Sequence, residues 1–205
     1  MARMRTQTYQ IQRDYILAKA AALFAQRGYT ATSMNEVADA CGVSKPALYH
    51  YVQDKHDLLV RICERHIARL VQVVEEVEAQ GLAPQQRVCV MVQRFVAEYA
   101  EAQNEHRVLT EDVKFLETDD QQRVLDGERR VVKAVAQALS ELRPELQQAQ
   151  LVKPLTMLLF GMINWMFTWL RPGGALTHAA VAPMVTDLFF GGIDAIRAAE
   201  PPAST

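Results

Sequence analysis

Apolar residues recur at helical rather than strand spacing along nearly the whole chain. From about Gln10 to Gln26, Ile16, Ala20, Leu23 and Phe24 share one face of a helix that Gly28 would end. Met34, Val37 and Ala38 mark a short second helix. It opens on Ser33 and Glu36 in S-x-x-E spacing, where a hydroxyl and a carboxylate satisfy the free amides of a starting helix. Gly42 permits the left-handed turn that stops it. Ser44 can then accept from the amides of a third helix, Lys45 to about Val52, whose first turn tolerates Pro46. Leu48 faces inward there, with Lys45, Ala47, Tyr49, His50 and Tyr51 largely outward. Two short helices joined by a tight turn make a helix-turn-helix.

The next helix begins at Gln53 or Asp54, with an aspartate cap before Lys55, and carries Leu58, Leu59, Ile62, Ile67, Leu70, Val74 and Val77 as far as Gly81. Its length suggests a strut shared by two domains, with a soft boundary near residue 65. Beyond Pro84 the period stays helical: Val88, Met91, Val92, Phe95, Val96 and Tyr99 form one face, Val108, Leu109, Val113 and Leu116 a shorter one, and Val124 to Leu142 another that stops before Pro144. Leu151 to Leu170 has the length of a membrane span. Lys153, Pro154, Thr156 and Asn164 interrupt it and flanking charges are missing, so a buried helix is expected. A last helix runs from Thr177 to about Ala199. These two final helices are apolar on more than one face and want the cover of a second subunit. The expectation is an all-α chain with a helix-turn-helix domain over 1–65 and a second helical domain over 66–205 that has more apolar surface than one chain covers.

With 205 residues, half of them apolar, the chain can bury a sizeable core. Three cysteines, Cys41, Cys63 and Cys89, are an odd set without paired spacing, and MARMRTQTYQ has no apolar signal core. A reducing, cytoplasmic setting follows, with no membrane partner. The net charge of −2 hides a division. Residues 1–65 hold nine Lys and Arg against six Asp and Glu, and residues 66–205 hold thirteen against eighteen. The front is basic and the rest acidic, as in a nucleic-acid binder. Met1 to Thr8 reads as a disordered tail whose Arg3 and Arg5 offer a phosphate-seeking arm. Cys63 and His66 stand one helical turn apart but lack a completing cluster, so no metal is expected. No cofactor loop and no nucleophile paired with a base is visible, so no catalytic residue is assigned and enzyme function is set aside.

GVSKPALYHYVQDKHDLL resembles the signature of the tetracycline-repressor (TetR) family of bacterial transcription regulators, whose usual form is G-V-S-x-x-x-L-Y-x-H/Y-F-x-x-K-x-x-L. The likeness is strong over Thr32 to Leu59 and reaches back more loosely to Tyr15. Pro46 stands where the family more often has a small residue, and Val52 where it has phenylalanine. The resemblance implies a homodimer formed through the last two helices, a double-stranded DNA operator with inverted-repeat symmetry, and a small-molecule effector. It favours a repressor. A ligand-independent or activating DNA-binding protein is the alternative.

On this reading Lys45, Pro46 and Ala47 face base edges in the major groove, while Thr32, Ser44, Tyr49, His50 and Lys55 position phosphates. Phe95, Tyr99, Leu116, Met162, Trp165, Phe167 and Trp169 gather large apolar side chains for an effector pocket, with Asn164 and Arg171 as its polar groups. Asn164 stands out, because an amide within MLLFGMINWMFTWL is costly to bury without a partner. The NWMFTWLRPGG segment loosely resembles lipid-responsive members of the family, which brings an acyl thioester to the front of the candidate effectors. Such an effector would act by tilting the long helix and moving the two heads out of register.

Overall fold

The computed structural model describes residues 2–171 and 173–194. Ten α-helices and two 3-10 turns follow one another, and no strand occurs among the described residues. They are α1 (Ala2–Arg27), α2 (Met34–Cys41), α3 (Lys45–Leu48), α4 (Lys55–Glu78), α5 (Pro84–Glu101) and α6 (Gln103–Asp112). A 3-10 turn at Val113–Phe115 leads to α7 (Thr118–Leu142), α8 (Pro144–Gln148) and α9 (Val152–Asn164). A second 3-10 turn, Met166–Thr168, precedes α10 (His178–Ile193). The all-α expectation holds.

Three boundaries differ from the sequence reading. The first helix begins at Ala2, so backbone expected to be a loose tail is helical; Met1 and the side chains of Arg3 and Arg5 lie outside the described residues. α3 ends at Leu48, because the amides of His50 and Tyr51 bond to carbonyls three residues back and tighten the chain into a turn. The stretch expected to be helical through Leu170 breaks at Asn164. There Thr168 bonds the Trp165 carbonyl through both its amide and its hydroxyl. At 13 residues α9 is about 20 Å long, short of a bilayer core. No helix among the described residues is long and apolar enough to cross a membrane.

Packing gathers the chain into two compact units, residues 1–69 with 102–127, and residues 70–101 with 128–205. The first crossing falls between Arg69 and Leu70, within α4, and two more follow, since α6 and the start of α7 pack with the amino-terminal helices. In the first unit α1 packs on α2 and α6 over Ile16, Ala20, Phe24, Leu48, Leu58 and Ile62. α7 comes close enough to α4 that a Cβ on Gly127 would stand 2.7 Å from a side-chain carbon of Ile67. In the second unit α5 and α9 pack on α10 around Met91, Phe95, Leu159, Ile163 and Phe189.

Candidate nucleic-acid interface

The turn between α2 and α3 is closed by side chains at both ends. Ser33 Oγ accepts from the amide of Glu36, and Glu36 Oε2 accepts from the amide of Ser33 at 2.8 Å, a reciprocal box in which those bonds hold the glutamate below the usual carboxylate range. Gly42 takes φ +65°, which a side chain would strain, and the amide of Val43 returns to the Ala38 carbonyl. Ser44 Oγ then accepts from the Ala47 amide, opening α3. With Leu48 fully buried, Lys45 and Pro46 are exposed and Ala47 partly so. Tyr49 and His50 are exposed just beyond. A ring the pattern did not mark braces this turn: Tyr9 of α1 stacks on Tyr51 at 4.9 Å and donates to the His50 carbonyl at 3.1 Å.

Two of the eight expected contact residues are used internally. Thr32 is 1% exposed, and its hydroxyl donates to the Gly28 carbonyl. Lys55 turns its ammonium onto the carbonyls of Tyr29, Thr30 and Thr32 at 3.1, 3.3 and 3.0 Å, and sits 4.6 Å above the Tyr29 ring. Both residues tie the loop between α1 and α2. The same Tyr29 ring stacks on Phe115 after α6.

A match to the family model described as Bacterial regulatory proteins, tetR family, spans residues 16–62, and one to Tetracyclin repressor-like, C-terminal domain, spans residues 81–193. The chain belongs to the TetR family. Its fold matches a TetR-family transcriptional regulator from Bordetella parapertussis 12822, with a TM-score of 0.84 at 33% identity, covering 91% of this chain and 98% of that one. The HTH-type transcriptional activator FasR of Mycolicibacterium smegmatis is 36% identical over 84 residues, 41% of this chain. That stretch is 38% of FasR's own length. AibR, crystallised with isovaleryl coenzyme A and operator DNA, shares the fold with a TM-score of 0.73 at 24% identity, covering 86% of this chain and 97% of that one. These families and relatives are transcriptional regulators, not enzymes.

The expected effector residues of this TetR-family chain divide. Phe95 and Tyr99 are buried on α5, where Phe95 lies 6.1 Å from the ring of Phe160, and Tyr99 donates to Asn164 Oδ1 at 3.0 Å. Burial first, and then the nearby Glu128 carboxylate, push the Tyr99 phenol well above its usual value. Burial also raises Glu128. Met162 and Phe167 are half-buried, whereas Trp165, Trp169 and Arg171 face solvent. Leu116 belongs to the first unit and the other eight to the second. A cleft of about 410 Å³ between α5 and α10, walled by Ala97, Ala100, Ala179, Ala182 and Pro183, contains none of the nine.

The sequence reading expected the last two helices to be apolar on more than one face, and both present exposed apolar side chains. Met157 and Leu158, with Trp165 a turn and more further on, are exposed along α9, and Met184 and Leu188 along α10. Leu158 and Trp165 stand seven apart and Met184 and Leu188 four apart, helical spacings already present in the sequence.

Proposed function

We propose that this chain is a ligand-responsive transcriptional repressor that binds an inverted-repeat operator as a homodimer and is released by a mostly apolar effector, with an acyl thioester first among the candidates. The observation that carries the reading is the capped four-residue α3, which holds Lys45, Pro46 and Ala47 outward within a TetR-family head. Lys45 suits guanine O6 and N7, and the Pro46 and Ala47 side chains suit thymine methyl groups. Ser44, Tyr49 and His50 lie where they can meet phosphates, with Thr32 and Lys55 acting one step back by fixing the loop behind them. The exposed stripes of α9 and α10 supply apolar surface of the kind that pairs subunits.

The effector reading draws on the Phe95, Tyr99, Phe160 and Asn164 cluster, where one amide and one phenol lie among apolar groups, and on AibR, a neighbour in fold that holds isovaleryl coenzyme A. Arg171, exposed after α9, offers a cation for an anionic end of such a molecule. Release requires that the effector bind the DNA-free form more tightly than the bound one. FasR, similar over 41% of this chain, is an activator. Activation is therefore the second reading.

Genomic footprinting of the purified protein tests the operator, and a reporter fused to the strongest site separates repression from activation. Inverted repeats are expected, silenced by the protein. Lys45→Ala should cost about 1–3 kcal/mol at its preferred base and relax preference there. Acyl thioesters of increasing chain length should raise the melting temperature and dissolve the DNA complex; a series that does neither removes the thioester.

A further inference from the structure

Away from the recognition helix, the first unit holds a convergence of donor atoms at the start of two helices. His56, the second residue of α4, places Nε2 2.8 Å from Oδ2 of Asp120 in the first turn of α7. Glu117, immediately before α7, brings a carboxylate to the same spot, and one ligand atom from each of the three lies within 4.8 Å of the others. Arg123 holds the other oxygen of Asp120 and bonds Glu64 at 3.0 Å, leaving Oδ2 aimed at the imidazole. Beside them opens a mainly polar cleft of about 350 Å³, with room for the waters that complete a coordination sphere.

Acids at a helix start need no ion, because the dipole favours them there. That accounts for Glu117 and Asp120. It does not account for His56, whose imidazole meets Asp120 from another helix; an ion pair would account for those two, but not for Glu117 as a third donor converging on them. One imidazole nitrogen with two carboxylate oxygens and open positions is a donor set for a divalent transition metal. Magnesium and calcium take all-oxygen sets. Zinc lies about 2.0–2.2 Å from such donors, so two ligands on one ion stand within roughly 4.4 Å. A small rotation of the exposed Glu117 side chain supplies the difference. The bond from Arg123 to Asp120 is the outer support that ligating carboxylates usually carry.

We propose that His56, Glu117 and Asp120 bind a single divalent transition-metal ion, zinc by preference, pinning the first turn of α4 to the start of α7. That turn follows the segment leading out of α3, so the ion stiffens the support of the recognition helix.

The test uses the untagged full chain stripped by chelator and titrated with zinc chloride in a calorimeter, with melting curves in zinc and in magnesium. One zinc per chain is expected, with a rise in melting temperature that magnesium does not reproduce. His56→Ala and Glu117→Gln should each weaken uptake more than about tenfold, beyond the loss of an outer support. Glu117→Gln decides the matter, because it is exposed and leaves the His56–Asp120 pair intact, so a simple ion pair would not register it. Zinc uptake unchanged in that variant, or no uptake by the wild-type chain, overturns the proposal.

Discussion

The phenol of Tyr99 donates to the side-chain oxygen of Asn164 across 3.0 Å, joining α5 to the last residue of α9 in a core that is otherwise mostly aliphatic and aromatic. Tyr99→Phe keeps the ring and removes this donor, so it should cost about 1–3 kcal/mol in urea melts at pH 7. The phenol's raised pKa adds a pH signature. Above about pH 10 the unfolded chain releases this proton while the folded chain keeps it, so stability falls as pH rises. Melts at pH 9 and 11 should show a smaller loss in the phenylalanine variant.

Lys55 separates two roles that one charge can play. Its ammonium is committed to three loop carbonyls, so Lys55→Ala should lower stability by about 2 kcal/mol. The slope of operator affinity against salt should stay at the wild-type value. A slope reduced by about one unit would return Lys55 to the residues that neutralise phosphate.

Neighbouring positions on α10 should respond in opposite ways. Leu188 is 69% exposed, whereas Phe189 is 7% exposed and Ile193 is buried, so the latter two belong to the protomer core. Leu188→Glu should stay folded, sediment as a monomer and lose operator affinity. Phe189→Glu should lose its fold, as a charge without a partner enters the core. Trp165→Ala should weaken dimerisation in the same sedimentation assay while leaving the effector response in place.

His66 gives the first unit an acid limit. Its ring is 1% exposed and 3.2 Å from the ring nitrogen of His106; burial, then His106 and Arg69, push its pKa down to about 3. Below about pH 6.5 the unfolded chain binds a proton that the folded chain refuses, so stability drops by up to about 1.4 kcal/mol per pH unit until the lower value is reached. Urea melts between pH 7 and 5 should follow that slope. His66→Gln should flatten it by about one proton.

The head was legible because its signals are local. Ser33, Glu36, Gly42 and Ser44 act on residues two to five positions away, and each sits in the role its spacing announced. The start of α1 was not, because residues 2–8 are mostly polar, and Ala2 and Met4 alone give no apolar face to read. The internal bonds of Thr32 and Lys55 were hidden for a different reason: their partners are backbone carbonyls, which leave no trace in residue type. The exposure of Trp165 was hidden as well, because size and apolarity mark a buried position and an exposed apolar face alike. Only the fold tells them apart. The gathering of residues 102–127 with the amino-terminal helices is a long-range fact that no periodicity carries.

A recognition helix of one turn limits how well a single head can find its address. With Leu48 buried, three side chains of α3 remain, and only Lys45 brings polar hydrogens. Each good base contact is worth about 1–3 kcal/mol of discrimination. A genome offers at least about a million rival positions, roughly 8 kcal/mol of competition. One head falls short of that sum, and two heads reading together can meet it. On the proposed reading, whatever governs the pairing therefore governs whether the protein can tell its promoter from the rest of the chromosome.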